Sequence, residues 1–250
     1  MHSYGLVPDI HDPRDRRFSL VANDLGVLEL PLSVDLRPLC SPIRDQQALG
    51  SCTSFAIVSG FRECLLVQKR QWAELSPLFL YYWERSLERT VDQDAGAMIR
   101  DGMRVLRKLG APPEVDWPYA IPQFKQRPIQ QAMDDAARYR IAHYHRIHNV
   151  IEIKQALVLN MPVVIGIAIF ESFESTDVAR TGAVPIPNQD VEAYLGGHAV
   201  LVVGYDDATK RFLVRNSWGT AFGMDGYFTL PYGFMRPHLR LVTDMWTGSA

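Results

Sequence analysis

The stretch Asp45–Ala56, reading DQQALGSCTSFA, constrains this chain more than any other. A loop bearing a side-chain amide passes through Gly50 and Ser51 into a cysteine, and apolar residues follow at helical spacing. Ile57, Val58, Phe61, Cys64 and Leu65 recur three and four residues apart, which places Cys52 at the first turn of a buried helix. Free N–H groups and positive potential at a helix N-terminus favour a thiolate over a thiol. Gln46 stands close enough upstream to offer an amide N–H to charge developing on a substrate oxygen, beside the backbone N–H of Cys52.

A nucleophile of this kind needs a base. Gly196-Gly197-His198 opens an apolar strand that runs to Tyr205, and Asn216-Ser217-Trp218-Gly219 closes the next one. The turn Asp206–Lys210 makes these two strands a hairpin, which sets His198 beside Asn216. A cysteine, then a distant histidine, then an asparagine is an order that serves nucleophilic catalysis.

Taken together, Gly50-Ser51-Cys52, Gly197-His198-Ala199-Val200, Gly204-Tyr205 and Asn216-Ser217-Trp218-Gly219-Thr220 resemble the papain-like (family C1) cysteine peptidases, over roughly residues 31–246. The resemblance implies Cys52 as nucleophile, His198 as general base and acid, and Asn216 as the group that orients the imidazole. It also implies Gln46 in the oxyanion hole and Trp218 covering the Asn–His hydrogen bond. Gly96 is the match for a glycine whose backbone pairs with substrate, and Met98, Gly166, Gly197 and Ala199 match walls of the substrate cleft. Asp244 falls near the far end of the main specificity pocket, where it would admit arginine. Two departures stand out. Leu49 replaces a cysteine that staples the loop in relatives, an expected cost to stability, and Thr53 replaces an aromatic, an expected change in the cleft floor.

The implied fold class is α+β, a papain-like two-lobe fold. A helical lobe, about residues 40–135, would face an antiparallel β-barrel-like lobe, about 136–250, across the active-site cleft. Ser76 and Pro77 read as the cap and first residue of a helix, Met98–Leu109 as another, and Ser175–Tyr194 as a surface loop. Residues 1–30 read differently, as an extended, charged segment with two prolines where relatives carry a larger inhibitory pro-region. Its expected role is an intramolecular inhibitor lying along the cleft.

At 250 residues the chain can bury a sizeable core, and its net charge of −2 gives no basic excess for nucleic acid. Its longest apolar run, Met161–Phe170, holds Pro162 and is too short for a bilayer. The expected partners are peptide or protein substrates and the chain's own N-terminal segment, with no nucleic acid, no membrane, no cofactor and no metal, in a monomer. No leader pattern is visible, which leaves the compartment open between the cytoplasm and export by another route. The three cysteines leave at most a Cys40–Cys64 bridge, which disulfide-poor chemistry argues against. The reading is a cysteine endopeptidase; the alternatives are an acyl transferase or amidase with the same Cys-His pair, or a silent binding homologue.

Overall fold

In the computed structural model, described for residues 2–22 and 29–250, the helix that begins at Cys52 runs through the middle of the molecule. Three segments, Cys52–Ser54, Phe55–Arg62 and Glu63–Gln68, follow one another end to end, and the central one is wound as a π-helix. Its residues are buried on every side, which is why the sequence is apolar all round rather than on one stripe. Gly60 permits close approach to the sheet, since a Cβ there would stand 3.0 Å from Leu201.

Two helices pack on one side of it. Pro77–Glu88 is capped by Ser76, whose hydroxyl accepts from the Phe79 N–H at 3.1 Å, with Pro77 at the first position, as the sequence reading expected. Ile99–Lys108 follows, one residue shorter at each end than the expected Met98–Leu109. On the other side lies an antiparallel sheet: β1 (Ser33–Asp35), β2 (His143–Arg146), β3 (Val163–Phe170), β4 (Tyr194–Asp206), β5 (Arg211–Arg215), β6 (Tyr227–Pro231) and β7 (Val242–Ser249). The order is β2-β7-β3-β4-β5-β6, with β1 paired to β4. This is a papain-like α+β two-lobe fold, and one expectation is corrected. The sheet is open rather than barrel-like, because β2 and β6 are its two edges and do not pair. The expected loop 175–194 also holds a helix, Thr176–Thr181, capped by Ser175.

The N-terminal segment is not wholly extended. It turns into a short helix at Ser19–Ala22, and Phe18 is fully buried in the main core. Upstream, residues 2–9 lie in the groove between the helices and the sheet, where Leu6 forms a parallel bridge to Ala97. The boundary placed near residue 30 adjoins residues 23–28, which lie outside the described residues. Cys40, Cys52 and Cys64 are all free thiols.

Candidate active site

Local contacts hold the loop before Cys52. The Gly50 N–H reaches both carboxylate oxygens of Asp94 at 3.0 Å, and Asp94 also takes the Tyr81 hydroxyl. Ser51 and Tyr119 share a hydroxyl hydrogen bond at 2.7 Å. The loop that lacks its stapling cysteine at Leu49 is thus pinned by a carboxylate. Thr53, which stands where relatives carry an aromatic, is turned toward the helical side. It is fully buried and donates to Glu84 Oε2 at 2.9 Å, beneath the helix. Burial holds Glu84 well above the ordinary carboxyl range.

The β4–β5 hairpin brings the other half. His198 leaves β4 directly before Ala199, whose N–H points to the Cys52 sulfur at 3.4 Å. Its Nε2 lies 2.8 Å from Asn216 Oδ1. That oxygen also accepts the Ser217 N–H at 2.9 Å, so it is the oxygen and not the nitrogen of the amide. Nε2 of His198 therefore carries the proton and Nδ1 keeps its lone pair, without a hydrogen-bond partner among the described residues. Trp218 packs beside the imidazole with ring centroids 5.0 Å apart. Gln46 is fully buried, its Nε2 donating to the carbonyls of Ser3 at 3.1 Å and Leu49 at 3.0 Å. Cys52, His198, Asn216, Gln46 and Trp218 thus meet in one cleft.

The N-terminal segment covers that cleft and changes its electrostatics. Burial pushes the Cys52 thiol up to about 11, against N–H groups from Ala199 and Gly5. Burial likewise pulls His198 down to about 4, against its bond to Asn216. The covered pair is thiol and neutral imidazole, not the ion pair that the helix terminus alone would favour.

The expected cleft walls divide. Gly166 and Gly197 lie against the Leu6 side chain; a Cβ on Gly166 would stand 2.6 Å from Leu6 Cδ2, and one on Gly197 3.1 Å from Leu6 Cβ. Gly96, at φ +73°, makes room for the segment, but the pairing groups belong to its neighbour. Ala97 N–H donates to Gly5 O at 2.8 Å and Ala97 O accepts from Val7 N at 3.0 Å. Met98 and Ala199 do not line the cavity of about 220 Å³ beside Leu6, and neither does Asp244. Asp244 is 2% exposed and engaged by Arg146 at 2.6 Å, while Thr243, one residue earlier on β7, lines that cavity instead. Alternation along a strand turns 243 and 244 to opposite faces, so the arginine-admitting role is not retained.

The family description "Papain family cysteine protease" matches residues 30–236 of this chain. The chain belongs to the papain family. It is a cysteine peptidase, a hydrolase acting on peptide or protein substrates. An uncharacterized peptidase C1-like protein of Acanthamoeba polyphaga mimivirus is 35% identical over 269 aligned residues, covering 98% of this chain and 86% of the relative. Xylellain, a cysteine protease from Xylella fastidiosa, superposes with a TM-score of 0.88 at 36% identity, over all of this chain and 96% of its own. Digestive procathepsin L 3 of Tenebrio molitor larval midgut, at TM-score 0.69 and 22% identity, shares the fold over 90% of this chain and 72% of its own.

One residue of this peptidase escaped the sequence reading although it lies within a quoted motif. Ser217 donates its hydroxyl to Gln46 Oε1 at 2.7 Å, which turns the Gln46 NH₂ toward the Ser3 carbonyl. With Gln46 in the oxyanion role the resemblance implies, Ser217→Ala should lower kcat about tenfold with KM nearly unchanged, since full loss of such a donor costs about 100–1,000-fold and here it would only be loosened. A KM rise at constant kcat would show that Ser217 serves binding instead.

Proposed function

We infer that this chain is an endopeptidase working through Cys52, His198 and Asn216, restrained by its own N-terminal segment. The observation carrying this reading is the double acceptance at Asn216 Oδ1, which leaves His198 Nδ1 free as the base beside Cys52. In the open enzyme the proton moves from sulfur to Nδ1, because each ion then stabilises the other. The thiolate attacks the peptide carbonyl carbon and the oxygen takes the charge, held by Gln46 Nε2–H and the Cys52 N–H. His198 gives its proton to the leaving nitrogen as the C–N bond breaks. Water, deprotonated by His198, then attacks the thioester and releases the sulfur.

The segment fits an inhibitor that escapes cleavage. It runs with Tyr4 over His198 and Leu6, further along the chain, at Gly166, opposite to the direction a substrate must take for His198 to reach its leaving nitrogen. Three aspartates clamp it. Asp9 accepts from Arg100 N–H at 3.0 Å and Trp246 Nε1–H at 2.7 Å, and pairs with Arg146 at 3.2 Å. Asp12 and Asp15 hold the Arg100 guanidinium at 2.5 and 2.7 Å.

Docking should depend on pH through Asp9. Burial, then the charge of Asp244, pushes its carboxyl up to about 7. A carboxyl that binds its proton more tightly when docked supports docking fully below its free value of about 4, and this support is lost as pH rises through about 7. Asp12, held low chiefly by its bonds to Arg14, acts in the opposite sense, but only where pH falls below about 4. A cysteine-directed epoxide should therefore label Cys52 in the full chain faster at about pH 8.5 than at about pH 5, and Asp9→Asn should remove the part of that rise due to opening. The thiol's own titration is common to both proteins and divides out. Equal pH slopes would remove the Asp9 switch, and labelling at Cys40 or Cys64 instead would remove the nucleophile assignment.

A further inference from the structure

The inhibitory segment is also a map of how the cleft receives side chains. Gly5 lies at Cys52, Leu6 fills the pocket beside Gly166, and Tyr4 and His2 occupy the opposite side, over His198 and Trp218. On the mechanism proposed above, that side receives the leaving half of the substrate, because His198 must reach the leaving nitrogen. What the two segment side chains meet there is alike. The His2 ring stacks on Trp218 at 4.8 Å and 10°, and its Nε2 lies 2.9 Å from Asp45 Oδ1. Tyr4 lies edge-on to His198 and against Gly196, and its hydroxyl donates to Glu174. Each acid sits on a fixed support. Asp45 is bridged through its backbone to Trp218, and Glu174 follows Phe173, which is buried edge-on to the Trp218 ring at 5.5 Å. The surrounding rim, residues 171–195, carries Glu171, Glu174, Asp177, Asp190 and Glu192 against Arg180 alone, and Arg180 is paired with Asp177.

We propose that Glu174 and Asp45 are specificity-determining residues on the leaving-group side, selecting basic residues at the first and third positions after the scissile bond, the places of Tyr4 and His2. Once the segment lifts, the Trp218 face vacated by His2 offers a π surface to a guanidinium, with Asp45 at its edge. The Tyr4 position places Glu174 within reach of a long cationic side chain next to the scissile bond. Neither carboxylate contacts the reacting atoms, so both act on choice of substrate. The cavity beside Leu6, lined by Gly197, Thr243 and Arg240 among others, carries no carboxylate and selects on the acyl side independently.

The test is internal competition. The full-length chain is given equimolar peptides that differ only after the scissile bond, with Arg, Lys, Gln or Glu at the first or the third position. Product ratios report ratios of kcat/KM and do not depend on how much enzyme the segment covers, which matters because these substitutions also loosen the segment. Arg should be preferred over Glu roughly fivefold at each position, the scale of half-exposed charge pairs, and the preference should shrink with added salt. Glu174→Gln should bring the first-position ratio close to one and leave the third alone; Asp45→Asn should do the reverse; Glu174→Lys should favour Glu at the first position. Unchanged ratios in all three variants overturn the proposal, as does a wild-type chain that is labelled at Cys52 yet disfavours or refuses the basic peptides. A chain neither labelled at Cys52 nor active on any peptide overturns the proposed mechanism itself.

Discussion

Cys52→Ala leaves peptide hydrolysis at least about 10⁴-fold below the parent chain, and His198→Ala falls to a similar level. The two losses are alike because the residues work as a unit. On the proposed mechanism, loss of the sulfur removes the thioester, and loss of Nδ1 removes both the base that forms the thiolate and the acid for the leaving nitrogen. Asn216→Ala keeps both reacting groups and loses only the bond that fixes the Nε2–H tautomer, so it should retain a measurable fraction. The double variant Cys52→Ala/His198→Ala should be no worse than either single. Initial rates on a fluorogenic peptide at known protein concentration, with the fold checked by circular dichroism, give the comparison. More than a trace of activity in Cys52→Ala would move the nucleophile elsewhere in the chain.

Leu6→Asp should raise kcat/KM on small peptides by up to about 100-fold, through KM. Leu6 lies against Gly166 and Gly197, where burying a leucine is worth about 1.5–3 kcal/mol, and an unpaired carboxylate there would cost more. The first residues should then leave the cleft while Asp9, Asp12 and Asp15 keep the rest of the segment in place. A tethered competitor blocks occupancy rather than chemistry, so kcat stays the same. Removing the whole segment is a different experiment, because Phe18 is fully buried and its N–H donates to Arg146 O at 2.9 Å. Emptying a core phenylalanine site costs about 3–5 kcal/mol, so truncation past Phe18 should lower Tm sharply. An unchanged KM in a folded Leu6→Asp chain would reduce the segment to a structural strap.

How much of this was legible depended on range. The Cys52 helix, the Ser76 cap and the β4–β5 hairpin follow from neighbours in sequence, whereas the meeting of Cys52 and Gln46 with His198 and Asn216 in one cleft followed from the family resemblance. Contacts between distant stretches were not legible. Nothing near Thr53 announces Glu84, and nothing near Gly50 announces Asp94. Asp244 was misplaced by a single residue, which on a strand is the difference between facing the pocket and facing Arg146. Phe18 reads as an apolar anchor for the cleft, and its burial in the core instead was not legible, because one aromatic in a charged stretch shows no period. Whether a sheet closes depends on where its edge strands end up, and no local pattern in β2 or β6 encodes that.

The burial of Phe18 also shapes how this peptidase would respond to its supply of substrate. With the segment docked as proposed, its leading residues can lift and return without limit, because their far end is held in the core. The cleft therefore carries a permanent rival at an effective concentration on the order of millimolar. Incoming peptide must outcompete it at every turnover, so saturation moves to higher peptide levels. Flux then stays proportional to supply over a wider range than an uncovered cleft would allow. Scarce peptides pass nearly untouched, and abundant ones are cut in proportion to their abundance.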